Sequence, residues 1–275
     1  MAADTASGAP VTRPGDLRPR RTPLVPPQHG AWAFLGLPLV LGALATPASW
    51  STLLLVWAAL TLYPASYFAL SIGRARRGAR FRRPLVVWSL AAAVPSAVLL
   101  VGDPWLVWVG LAYAALFAAN LAFARRNHER DLANDGLLAV QAIALVPLTW
   151  LLAAPSSGWV PAISSVPQRV WLLTVVCALA LLGSTLHVKS LLRERRNPAY
   201  ARASRVVAAA SCIVALVVAA AWGLPAGLAL VPPFLVLAAR AFKRDWSGWR
   251  PARIGLVELG CFVLVAVGAA VALAG

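Results

Sequence analysis

Residues 50–83 read WSTLLLVWAALTLYPASYFALSIGRARRGARFRR. From Trp50 to Gly73 no side chain is charged, and a helix of that length matches the roughly 30 Å hydrocarbon core of a bilayer. Arg74, Arg76, Arg77, Arg80, Arg82 and Arg83 then crowd into the next ten positions. An apolar run closed by arginines specifies a membrane span with its basic end on the side where the chain is made.

The same alternation repeats along the chain. Apolar runs fall at 31–45, 51–73, 85–101, 105–124, 135–153, 170–190, 206–221, 224–239 and 254–274, about nine in all. The gaps after the first, third, fifth and seventh runs are short or nearly neutral, with Arg169 their one basic residue. The others are basic: Arg125, Arg126 and Arg130; Arg193, Arg195, Arg196, Arg202 and Arg205; Arg240, Lys243, Arg244, Arg250 and Arg253. This predicts an all-α, polytopic transmembrane helical bundle with a cytoplasmic N-terminus, an external C-terminus and an odd number of spans. Trp50, Trp105, Trp150, Trp171, Trp222, Trp246 and Trp249 sit near run ends, as interfacial anchors do.

Two parts are expected: a disordered cytosolic tail over 1–28, rich in Pro, Gly, Thr and Arg, and a nine-helix domain over 29–275. A rival for the start is a secretory signal: Arg18, Arg20 and Arg21, an apolar run, then Ala43-Leu44-Ala45. Pro38, Pro64, Pro95, Pro147 and Pro232-Pro233 fall inside runs and predict kinks.

Hydrophobic residues make up 60% of the chain and charged residues 12%, which excludes an ordinary soluble domain. The net charge of +16 points to anionic lipid head groups or an anionic substrate rather than to nucleic acid. The basic residues cap apolar runs and form no stripe with interleaved aromatics. Cys177, Cys212 and Cys261 lie inside apolar runs without metal-ligand spacing and read as small buried hydrophobes.

Polar residues able to carry chemistry gather at the basic ends. Beyond the fourth run, Asn127, Asp131 and Asp135 recur every four residues, and Asn120 lies two turns earlier. If that helix continues, they share one face and supply oxygen ligands for Mg²⁺ with positions left for phosphate. The alternative is a helix end in which Asn134 and Asp135 cap the fifth run. After the sixth run, Ser184, His187 and Glu194 share one face, and Lys189, Arg193 and Arg196 another. Lys189 either snorkels to the head groups or joins Arg193 in a cationic wall that grips a diphosphate or carboxylate, with His187 as donor or acid–base group. At the first run, Gly30 permits a close approach beside His29, which would reach the same mouth. Glu258 lies inside the ninth run and should pair with Arg253 or with a cation on a neighbouring helix. Gln141 and Asn120 are further polar groups within runs.

Three segments resemble the YwiC-like family of bacterial membrane proteins: residues 27–32 (PQHGAW), 120–135 (NLAFARRNHERDLAND) and 187–195 (HVKSLLRER). The resemblance implies a polytopic plasma-membrane protein and no particular activity. More distantly, the span count and the Asn127, Asp131, Asp135 spacing resemble UbiA-type intramembrane prenyltransferases. That likeness implies a Mg²⁺-dependent prenyl-diphosphate transferase in which Asn127, Asp131 and Asp135 hold the metal while Lys189 and Arg193 grip the diphosphate. The chain departs from that pattern after the second run, which has only arginines, and after the sixth, where His187, Lys189 and Glu194 replace an acidic motif. The other reading is a transporter or non-catalytic ligand-binding protein built around Glu258, Asn120, Gln141 and His187.

Overall fold

A computed structural model describes residues 23–27, 29–75, 78–128, 131–154, 158–243, 246 and 248–275, with His29 described by its backbone alone. The elements are α1 (His29–Ala45), α2 (Trp50–Arg74), α3 (Arg82–Gly102), α4 (Leu106–Arg125), α5 (Leu132–Ile143), α6 (Leu145–Ala153), α7 (Gln168–Leu192), α8 (Pro198–Trp222), α9 (Val231–Phe242) and α10 (Pro251–Ala274). Short 3-10 turns cover Gly78–Phe81, Ile163–Ser165 and Ala226–Leu230. The described residues contain no strand, so the all-α expectation holds.

Seven helical stretches are long and apolar enough to cross a membrane: Trp50–Arg74, Gly78–Gly102, Leu106–Arg125, Leu132–Ala153, Gln168–Leu192, Pro198–Trp222 and Pro251–Ala274. The first and eighth runs are shorter apolar helices, Gly30–Ala45 and Ala226–Phe242. At 1.5 Å per residue such helices span roughly 25 Å, near the lower limit for a bilayer core. Yet α1 is not peripheral. Its Leu37 and Leu41 are buried, and it packs on α6, α7 and α10.

The outer surface is apolar, unlike that of a water-soluble bundle, and the interior mixes bulky side chains such as Leu173 and Phe234 with small ones. Leu53, Leu90, Val101, Ile213, Leu256 and Val263 point outward, while alanines such as Ala180, Ala215 and Ala269 line the interior. In lipid the apolar effect does not drive helices together, so small residues that permit close van der Waals contact take the interface. At Gly42 on α1 an added Cβ would stand 2.5 Å from Thr149 Oγ1 of α6, and at Gly268 on α10 it would stand 2.6 Å from the Ala229 carbonyl oxygen. Gly30, expected to allow a close approach, has no described atom within 4 Å of such a Cβ.

The fifth run is one span in two pieces. Pro147 lacks the N–H that would bond the Ile143 carbonyl, and its ring crowds that oxygen, so α5 ends at Ile143 and α6 restarts after Ala144. Pro232-Pro233, expected to kink a span, instead open α9, where first-turn N–H groups need no helical partner. Arg202 and Arg205, assigned to a gap, lie within α8, which starts earlier because Asn197 caps it: its Oδ1 accepts from Ala199 N at 3.1 Å.

α7 is the central helix, in contact with α1, α5, α6, α8, α9 and α10. Its Leu173, Val176, Cys177, Ala180 and Leu181 are fully buried in the main core, together with Phe234, Val265 and Ala269. A second core unites α1, α2, α3 and α6 around Trp105. Contacts sort the helix ends into two groups. At one end Gln168 of α7 bonds the Ala221 carbonyl of α8, and Trp222 bonds that of Ala272 on α10. At the other, the C-terminal ends of α7 and α9 meet the N-terminal ends of α5, α8 and α10. The second end is where the basic gaps lie.

Candidate functional site

At the basic end, five helices place charged or polar side chains inside the bundle. Glu258 lies two turns into α10, and Ile254, Glu258, Cys261 and Val265 form its buried stripe. From α7, Ser184 Oγ donates to Glu258 Oε2 at 2.5 Å. From α9, the Arg240 guanidinium forms an ion pair with the same oxygen and also reaches the Cys261 thiol. Both members of the pair are buried, with side chains 5% and 8% exposed. Two donors thus converge on Oε2, while Oε1 has no hydrogen-bond partner among the described residues.

His187, one turn beyond Ser184, is 2% exposed. Its Nδ1 faces Ser204 Oγ of α8 at 3.4 Å, and its ring meets Trp246 edge-on with centroids 5.3 Å apart. Its Nε2 has no hydrogen-bond partner among the described residues. Trp246 stacks edge-on with Trp249, and the Lys243 ammonium lies over both rings. Trp246 thus lies against both His187 and Trp249.

A second ion pair, with only its lysine fully buried, joins α7 to α5. Lys189 Nζ of α7 donates to Asp135 Oδ2 of α5 at 2.5 Å, and the lysine side chain is 3% exposed. Lys189 therefore turns inward across a helix–helix contact rather than snorkelling. Unpaired, either charge would be costly in this setting, so each pair ties its helices together as well as neutralising them.

The expected helical column of Asn127, Asp131 and Asp135 does not form. α4 ends at Arg125, and Asn127 adopts φ 59°, the left-handed conformation that closes a helix. Asn127 N bonds the Ala124 carbonyl at 3.2 Å and His128 N that of Phe123 at 2.9 Å, the paired closure of a Schellman motif. After that reversal, Asp131 stands at the start of α5 without a side-chain cap bond and meets His128 Nδ1 at 2.8 Å on the surface. Asp135 is one turn on, held by Lys189. Asn134, expected to cap α5, is buried within its first turn. Among the described residues, no three His, Cys, Asp or Glu side chains gather as a metal site.

The other expected positions separate. Asn120 is buried on α4, its Oδ1 without a hydrogen-bond partner among the described residues; α4 packs on α2 and α5, and α5 in turn on α7. The Gln141 carbonyl accepts from Tyr113 OH at 2.5 Å. Arg193 is exposed just past α7, in an open groove of about 540 Å³ with Glu194, Arg195 and Arg196. The expected shared face of Ser184, His187 and Glu194 stops at His187, because α7 ends at Leu192. The His29 side chain, and with it any reach toward the mouth, lies outside the described residues, as do Gln28, Glu129, Arg130, Arg244 and Asp245. Arg253 is exposed, so the partner of Glu258 is the cation of the neighbouring helix.

Arg240 and Ser204 join the site unexpectedly. The charge pattern places Arg240 among the loop charges, but Pro233, Phe234, Leu237, Arg240 and Ala241 form one buried stripe of α9. Their spacing is the signal that the sequence offers. Ser204 and Ser211, seven apart on α8, share its buried face with Ala208 and Ala215.

A family model described as YwiC-like protein matches residues 25–150, from just before α1 into α6. The Bacillus subtilis (strain 168) protein described as uncharacterized protein YwiC is 30% identical over 247 residues, covering 88% of this chain and 95% of that one. An uncharacterized protein of Haemophilus influenzae (strain ATCC 51907 / DSM 11121 / KW20 / Rd) is 25% identical over 244 residues, covering 89% and 94%. No solved structure matches significantly. The family model covers Asn134 and Asp135 but stops short of α7 to α10, whereas the Bacillus relative aligns over nearly its full length. On that coverage and identity, this multi-pass membrane protein belongs to the YwiC-like family.

Proposed function

We propose that the chain is a carrier of the bacterial plasma membrane with its exchange site at Ser184, His187, Arg240 and Glu258. In this reading the two shorter helices cross as well, giving about nine spans, with the N-terminal tail and the basic gaps in the cytoplasm. α1 supports it by burying its middle, Leu37, Leu39 and Leu41, among other helices of the bundle. The supporting observation for the site is the Glu258–Arg240 pair, held by a third helix through Ser184 deep in an apolar bundle. A neutral apolar contact would serve stability as well or better, so ionisable groups retained at such depth mark an ion or substrate path.

The test works without naming the cargo in advance. Full-length protein is reconstituted into liposomes loaded with isotope-labelled small-molecule extract, and release is followed by mass spectrometry. Wild type should release at least one solute faster than protein-free liposomes, and Glu258→Gln should abolish or uncouple that release. Identical release by both proteins would remove Glu258 from the path.

A Mg²⁺-dependent prenyl-diphosphate transferase is the second reading. It draws on the surface groove of Arg193, Arg195 and Arg196, which suits a diphosphate, with Asp131 and Asp135 as metal ligands after rearrangement. Prenyl-diphosphate binding that requires Mg²⁺ and is lost in Asp131→Ala and Asp135→Ala would favour it. Binding indifferent to these changes would end it.

A further inference from the structure

We infer that the seat between α7, α9 and α10 takes a small monocarboxylate together with one proton, the ligand replacing the Glu258 carboxylate on Arg240 and Ser184. This deepens the carrier reading and rests on it. The chain itself supplies the template, since the group occupying the seat is a carboxylate. Ser184 Oγ and the Arg240 guanidinium both bind its Oε2, and Oε1 has no hydrogen-bond partner among the described residues. Arg240 is thus engaged through one oxygen only, although a guanidinium fork fits both oxygens of a carboxylate. His187, one turn from Ser184, is buried within reach of the Arg240 charge, and its Nε2 also lacks a hydrogen-bond partner among the described residues, which makes it the third contact of this proposal.

Charge decides which states of the seat are allowed. Ionised Glu258 with Arg240 is neutral. Protonated Glu258 with Arg240 and a bound monoanion is also neutral. Protonated Glu258 with an empty Arg240 leaves one positive charge in the bundle, and ionised Glu258 beside a bound anion leaves one negative charge. Both carry the penalty of an unpaired charge away from water. Only the two neutral states are well populated, so anion and proton enter and leave together. The proton forms an O–H bond on Glu258 and nothing else changes covalently. A dianion would break the neutrality, which sets the class at univalent.

The surroundings are consistent with this count. Glu258 is faced by Arg240 from α9, by Ser184 from α7 and by Cys261 from its own helix, and His187 of α7 stands within reach of the Arg240 charge. Residues 30–45 of α1 and 226–230 before α9 carry no ionisable side chain. Lys189 and Asp135 neutralise one another nearby.

The experiment uses full-length protein purified in detergent, with formate and lactate as probes, choline as a cationic control, and calorimetric titration from acidic to alkaline pH. Wild type should bind the carboxylates at acidic pH and lose affinity by about tenfold per pH unit once Glu258 ionises. Glu258→Gln, a fixed neutral side chain, should bind them with that slope abolished, and its thermal midpoint should rise on adding formate. The paired variant Arg240→Gln, Glu258→Gln carries no charge at the seat and should lose binding. Absence of carboxylate binding both in wild type at acidic pH and in Glu258→Gln would overturn the inference, as would equal binding by the paired variant. If carboxylates fail while Glu258-dependent release of another solute persists in liposomes, only the substrate class falls. If that release is also missing, the carrier reading falls with it.

Discussion

Arg240 shows how far one residue's role depends on its burial. In the open it would be one more positive charge closing a membrane span. At 7% exposure, on the buried stripe of α9, it instead requires a counter-charge, and Glu258 provides it. Removing one partner strands the other in a medium that solvates it poorly. Arg240→Gln is therefore expected to destabilise the folded protein by about 3–5 kcal/mol, measured by denaturant titration in detergent micelles. Arg240→Gln combined with Glu258→Gln should cost less than Arg240→Gln alone. A paired variant as unstable as the sum of the single ones would show that the two residues do not act as a pair. Asn127 makes the complementary point. Its amide suggests a ligand, yet its φ of 59° gives it the backbone task of ending α4.

At the scale of elements, the contacts that matter are between backbones that approach closely. Gly42 of α1 faces Thr149 of α6, and both helices belong to the two cores at once. Gly42→Val should force α1 and α6 apart, lowering stability by about 1–3 kcal/mol in the same titration, whereas Gly36→Val, which has no described atom within 4 Å of the added Cβ, should change it little. Equal effects of the two would mean that helix propensity rather than packing governs α1. The break between α5 and α6 follows the same logic, since Pro147 fixes its place by chemistry local to one turn. So does the start of α8 at Asn197, where an amide cap outweighs the two arginines that make the segment look like a loop.

For the molecule as a whole, orientation is the property that every functional reading shares. Arg80 lies between α2 and α3, and Trp159 lies between α6 and α7. In a background lacking Cys177, Cys212 and Cys261, Arg80→Cys should react with a membrane-impermeant thiol reagent only after the membrane is opened. Trp159→Cys should react in intact cells. Labelling of both from the same side would overturn the crossing pattern and the cytoplasmic placement of the cluster. The central position of α7 explains why that cluster forms at this end. α5, α8, α9 and α10 all present their basic-gap ends to it, so Asp135, Ser204, Arg240 and Glu258 arrive together from distant parts of the chain.

By itself the sequence determined the solvent, the helical class, the length of most helices and the end at which polar chemistry gathers. These depend on local composition: a run of apolar residues must satisfy its own backbone in lipid, and arginines hold its ends in water. The sequence also marked Glu258 as out of place in such surroundings and singled out His187, Lys189 and Asp135 as polar groups at the basic helix ends. It did not reveal which cation meets which anion. Arg240, Arg253 and Lys189 all lie near the same boundary, and the choice among them turns on the rotation of each helix about its axis. That rotation is settled by side-chain packing between helices far apart in the chain, so only the tertiary structure joined Glu258 to Arg240 and Asp135 to Lys189.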